Sequence, residues 1–233
     1  MANKPNTTNQ EVLFGYRLIR YLHGNINNIY LLLAVIAWLR SESGQHYIGN
    51  NPLNLRPGSD DAKYRSGVRK TKGNGYFSMY KSIDAGARAT ANRLLRAGHD
   101  YRGYGAMMDA IQRSDTPEGK QTADEAKQEQ AVDFMWALIL SKWDAGHYGL
   151  KGDQLKDPKA IYGTTLYKVF YSLTGHPVNI PADAEPPPKT YPQPKQPRQL
   201  THITPVREYL SPTEARSFYE ARNKPIPPMP GGR

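Results

Sequence analysis

Cysteine is absent from all 233 residues, which excludes disulfides, thiolate–metal sites and cysteine nucleophiles. A long apolar run is missing too. The longest, ending at Leu39, is about half of the ~20 residues that a membrane-spanning helix needs. The first residues, Met1 to Thr8, lack the basic-then-apolar layout of a secretory signal. The expectation is therefore a soluble protein without an export signal, carried outward by something else if it acts outside its cell. The six histidines show no ligand spacing, so neither a metal nor any other cofactor is expected. Ser41 and Ser43 have no His–Asp pair in sight to activate them as nucleophiles. Gly73-Asn74-Gly75 reads as a turn, not a phosphate loop.

What is present divides the chain unevenly. Thirteen of the 19 prolines lie after Ile180. Residues 1–180 are therefore read as the folded body and 181–233 as an extended, polyproline-like tail. Within the tail, Ser211-Pro212-Thr213-Glu214 forms a capping-box pattern that predicts a short helix over about 211–223. The net charge is +10, of which about +3 belongs to the tail and +7 to the body. Such a field favours an acidic cell-wall polymer, nucleic acid or an anionic membrane without choosing among them. The Lys and Arg residues are dispersed, and no nucleic-acid signature accompanies them.

Along the body, apolar spacing predicts helices over Glu11–His23, from Asn27 or Asn28 to Ser43, and over Ile83–Ala97, Tyr104–Gln112, Thr122–Trp143 and Thr164–Leu173. Trp136 and Trp143 then fall on one face of the fifth helix, as core residues. Gly44 to Gly58 reads as a loop, broken by Pro52 and Pro57. Tyr64 to Tyr80 reads as a β-hairpin turning at residues 72–75. The fold class is α+β, mostly helical, with one small hairpin.

One acid stands out. Glu42 is the only acidic residue between Glu11 and Asp60, and it follows the most apolar stretch of the chain. A carboxyl at the end of a buried helix is disfavoured as an anion both by burial and by the helix dipole. Glycosidases prepare their proton donors in this way.

Trp38, Glu42-Ser43-Gly44, Asn51-Pro52-Leu53-Asn54, Gly75-Tyr76-Phe77-Ser78-Met79-Tyr80 and Gly86-Ala87-Arg88-Ala89-Thr90 occur in that order. The stretch Ala37–Leu95 that holds them resembles the lysozyme-like peptidoglycan hydrolases of phage tails and virions. That group is similar to the glucosaminidase and soluble lytic transglycosylase families. Asp100 to Tyr104 and Ser141 to Gly149 look like later parts of the same pattern. The resemblance implies a lysozyme-like domain over 1–180 in which Glu42 protonates the glycosidic oxygen. It implies that Asn51 and Asn54 belong to the cleft wall and that Tyr76 and Tyr80 stack on sugars. Bacterial peptidoglycan is then the substrate, the virion is the location, and the 181–233 tail binds neighbouring tail or baseplate proteins.

Hydrolysis normally needs a second carboxylate across the cleft. Asp60 and Asp61, just before the hairpin, are the candidates, whereas Asp84 at a helix start is better explained as a cap. Lytic transglycosylases rely on one glutamate, with the substrate's own hydroxyl closing a ring. The rival expectation is a catalytically inactive virion structural protein in which the cleft is filled or Arg40 or Arg56 pairs with Glu42. A DNA-binding reading leaves Glu42, the Asn-Pro-Leu-Asn segment and the aromatic hairpin without a role, so nucleic acid is not an expected partner.

Overall fold

The computed structural model describes residues 8–43, 48–71, 75–96, 101–113, 122–141, 143 and 147–174. The hairpin turn, His46, His99 and the whole 181–233 tail, including the 211–223 helix expected there, lie outside the described residues. Within them the protein is mostly helical with one two-stranded antiparallel sheet. The helices are α1 (Asn9–Tyr21), α2 (Ile29–Ser43), α3 (Ile83–Arg96), α4 (Tyr104–Gln112), α5 (Ala123–Leu140) and α6 (Thr165–Leu173). The strands are β1 (Arg65–Thr71) and β2 (Gly75–Tyr80).

α2 is the axis of the body. Every residue from Leu31 to Leu39 is at most 2% exposed. α1, α5 and α6 pack around it, and α3 and α4 stand behind α1 and α5. A helix that is apolar on all sides can exist in water only if it is covered all round. Its start is fixed by Asn28, whose Oδ1 accepts the Leu31 N–H at 3.1 Å. The Asn28 amide donates to Gln130 Oε1 at 2.7 Å and to the Lys127 carbonyl. The Gln130 amide in turn donates to carbonyls at the end of α4. This buried chain of amides ties the first turn of α2 to α5 and α4. Each partner satisfies another, so burying them carries no uncompensated cost.

The far end of α2 is tied by charge. Glu11 is fully buried in the first turn of α1, closing a capping box with Thr8. Arg40 grips it in two bonds, Nε to Oε1 at 2.7 Å and Nη2 to Oε2 at 2.9 Å. A forked guanidinium–carboxylate pair of this kind fixes orientation as well as distance.

The hairpin stands outside this bundle on its own small core of Leu55, Tyr80 and Ala89. Residues 48–55 run beside β2 and bond to it. Ser78 N–H donates to the Leu55 carbonyl at 2.9 Å, and the Asn50 amide donates to the Tyr80 carbonyl at 2.9 Å. Gly86, in the first turn of α3, lets this layer close. A Cβ there would stand 2.1 Å from the Asn50 carbonyl oxygen.

Two expectations need correction. The fifth helix ends at Leu140 rather than at Trp143, because the Ser141 hydroxyl turns the chain: it donates to the Leu138 carbonyl and accepts the Trp143 N–H. Trp136 is a core residue, whereas Trp143 lies beyond the helix and packs edge-on against Trp38 at 4.9 Å. Several short 3-10 turns, at 48–50, 101–103 and 147–163, fall where the spacing gave no signal.

Candidate functional site

Glu42 lies in the last turn of α2, half-buried. Two segments meet it, one 12 residues further along the chain and one 106. From one side, the Asn54 amide donates to the Glu42 backbone carbonyl at 2.9 Å, satisfying one of the orphan acceptors at the helix end. Asn54 holds a left-handed backbone with φ 53°, which asparagine tolerates better than most residues. From the other side, the Tyr148 hydroxyl donates to Glu42 Oε1 at 2.6 Å across 106 residues of sequence. Tyr148 also has φ 53°, a strained conformation for an aromatic residue. Strain of this sort costs about 1–3 kcal/mol and persists where the surroundings over-determine it.

The segment after α5 is held over α2 by aromatic packing. Trp38, one turn before Glu42 on the same face, is fully buried between Phe134 and Trp143. Trp143 also touches Tyr104, 5.4 Å between ring centres. Trp143 therefore covers the lower turn of α2 while Tyr148, five residues on, reaches the upper one. Ser41 is turned away from this chemistry, donating to the Ala37 carbonyl of its own helix. Arg40, two residues from Glu42, is committed to Glu11.

The two aspartates expected to face Glu42 are instead built into the base of the hairpin, a correction to the two-acid reading. Asp61 is fully buried. It accepts a short bond from the Ser78 hydroxyl, the Tyr80 hydroxyl at 3.0 Å and the Gly58 N–H at 2.9 Å. Asp60, its side chain 3% exposed, is ion-paired with Arg93 of α3. Substrate cannot reach a fully buried carboxylate that already accepts three hydrogen bonds.

The expected sugar-binding residues separate in the same way. Asn51 is 3% exposed, and its amide donates to the carbonyls of Leu55 and Ser78 while its Oδ1 accepts the Leu55 N–H. It staples the loop to β2 and has no contact to offer a ligand. Tyr80 is 2% exposed and serves Asp61; burial, then the Asp61 charge, pushes its hydroxyl pKa well above the usual tyrosine range. Tyr76 alone of the two tyrosines presents its ring, 53% exposed near the hairpin tip with Lys70 6.0 Å from its centre. Asp84 lies inside the first turn of α3 and is not its cap, since the Ala85 N–H there donates to the Ser82 hydroxyl. Asp84 accepts from Tyr21 and Arg88, and burial together with that bond pushes the Tyr21 pKa to about 12.

Tyr148 is the residue that the sequence reading missed as a partner of the acid. The signal available was its place in Ser141–Gly149, a segment of the resemblance with no role attached. Among the described residues no group of His, Asp and Glu is arranged to hold a metal ion. None of the described helices is long and apolar enough to cross a membrane. No family model, curated protein or solved structure matches the chain.

Proposed function

We propose that residues 1–180 form a lysozyme-like domain that binds peptidoglycan glycan strands and cleaves the bond between amino sugars, with Glu42 as the general acid. The observation that carries this reading is the meeting of Asn54, 12 residues on, and Tyr148, 106 residues on, at Glu42, while the neighbouring Arg40 is held by Glu11. A glutamate whose backbone and carboxyl are both fixed is prepared to deliver a proton in one direction.

In the protonated acid Oε1 accepts the Tyr148 hydroxyl as the carbonyl oxygen, and the transferable proton is carried by the hydroxyl oxygen of the same carboxyl. That proton passes to the glycosidic oxygen as the C1–O bond breaks through an oxocarbenium-like state. With Asp60 and Asp61 engaged elsewhere, a second carboxylate has no counterpart at the site among those expected. The reading therefore favours a lytic transglycosylase. The substrate's own hydroxyl attacks C1, and the Glu42 carboxylate takes up the proton that this hydroxyl releases, restoring the acid. No water is consumed.

The reading places the protein in a phage tail or baseplate, where the positive charge suits an acidic wall and the 181–233 tail anchors to neighbouring subunits. The rival, an inactive structural protein, has its cleft filled or Glu42 paired with Arg40 or Arg56; the two bonds from Arg40 to Glu11 speak against the first of these arginines. The test is release of soluble muropeptides from purified peptidoglycan, with mass analysis of the products. Anhydro-sugar ends support the one-acid mechanism, and reducing ends replace it with hydrolysis. No release from several wall types by folded protein leaves the structural role.

A further inference from the structure

The last described elements carry an aromatic surface that the glycan-cleaving site does not use. Tyr162, in the 3-10 turn Pro158–Gly163, and Tyr171, on α6, are each 37% exposed. Between them lies Tyr167, 6% exposed, edge-on to Tyr162 at 4.8 Å and stacked with Tyr171 at 6.4 Å. The three rings form a continuous ladder whose two ends face water. Burial, then the neighbouring tyrosines, pushes the Tyr167 pKa to about 12, as expected for a ring at the floor of such a ladder. Lys168 is exposed beside it, and Lys159 is exposed on the preceding turn. Ladders of tyrosine are the surfaces on which polyproline segments dock, because ring faces pack on pyrrolidine rings already fixed in an extended conformation.

Thr174, one turn beyond Tyr171, is the last described residue. Twelve residues after it the sequence reads Pro186-Pro187-Pro188, then Pro192, Pro194 and Pro197, preceded by the acids Asp183 and Glu185. We propose that this proline-rich segment, 183–197, docks in cis across the Tyr162–Tyr167–Tyr171 ladder, its acids facing Lys159 and Lys168. A twelve-residue tether can span up to roughly 37 Å when extended, ample to turn back onto α6. Its shortness places the segment at an effective concentration on the order of millimolar, enough to hold a contact that would be weak between separate molecules. The consequence is that the tail leaves the body from a fixed seat, so that residues beyond Pro197 are presented in one direction.

Limited trypsin digestion of the full chain tests this. Lys189 and Lys195 lie inside the docked segment, whereas Arg207 lies beyond it and before the helix expected at 211–223, and serves as the internal control. Cleavage after Lys189 and Lys195 should be slower than after Arg207. It should accelerate about fivefold in Tyr162→Ser/Tyr171→Ser, with the control site unchanged. Replacing Pro186, Pro187 and Pro188 by alanine should do the same without touching the body, which guards against a misfolded tyrosine variant. Equal rates in wild type and both variants overturn the proposal. Protection that grows with protein concentration overturns it as well, by making a second copy of the chain the occupant.

Discussion

Glu42 and Asp61 are both carboxylates brought to the junction of a helical body and a small hairpin, yet their surroundings differ in kind. Asp61 accepts from Ser78, Tyr80 and Gly58 and is sealed from water. Glu42 is half-buried, oriented by Tyr148, with its backbone carbonyl held by Asn54. A buried anion surrounded by donors stabilises the structure that supplies them. A half-buried acid reached by a tyrosine hydroxyl keeps part of its surface open to solvent. The contrast teaches that the type of an acidic residue says little about its work, and that the donors around it, with its remaining exposure, say much more.

The comparison can be broken at several points. Glu42→Gln should lower glycan cleavage by about 10³-fold, as loss of a general acid does, while keeping the Tyr148 hydrogen bond and the melting temperature close to wild type. Assay beside a thermal melt separates the two effects. Asp61→Ala should do the reverse. It strands the Ser78 and Tyr80 hydroxyls and the Gly58 N–H in a dry site, at a cost of about 3 kcal/mol, read as a lowered urea midpoint. Tyr148→Phe sharpens the contrast, since it loosens the acid without removing it. The expected result is a loss of about tenfold in rate, with the acid limb of the pH–rate profile displaced and stability changed by less than about 1 kcal/mol. Tyr76→Ala should weaken glycan binding by about fivefold and leave the fold untouched, as measured by binding of soluble chitooligosaccharides.

The smallest effect is one of pH. The folded-state pKa values of Tyr21 and Tyr80 are raised above the ordinary 10, so folding favours their neutral forms. Their contribution is fully present below pH 10 and is lost as the pH climbs through about 12, the value at Tyr21. Ultraviolet titration should show these tyrosines ionising late, together with alkaline unfolding and with no stability change between pH 7 and 9.

The helices were legible because their apolar spacing is strong, and Tyr104–Gln112 agrees to the residue. The fifth helix was read three residues too long. Trp143 looks like a continuation of the apolar face, while the Ser141 hydroxyl that ends the helix acts through hydrogen bonds that spacing does not register. Glu42 was legible because it stands alone after an apolar run. Asn51, Asp61 and Tyr80 were misread because their partners lie across the hairpin or its loop, Ser78 being 17 residues from Asp61. A polar residue's burial is decided by such pairings, not by its neighbours in sequence. Tyr148 was further still from legibility, 106 residues from the acid it orients.

The measurement that tests the central claim most directly is muropeptide release by wild type, Glu42→Gln and Asp60→Asn/Asp61→Asn side by side, at a temperature where all three are folded. One working acid predicts release by the wild type and by the double aspartate variant, and none by Glu42→Gln. Release that persists in Glu42→Gln, or that disappears in the folded double aspartate variant, would contradict it.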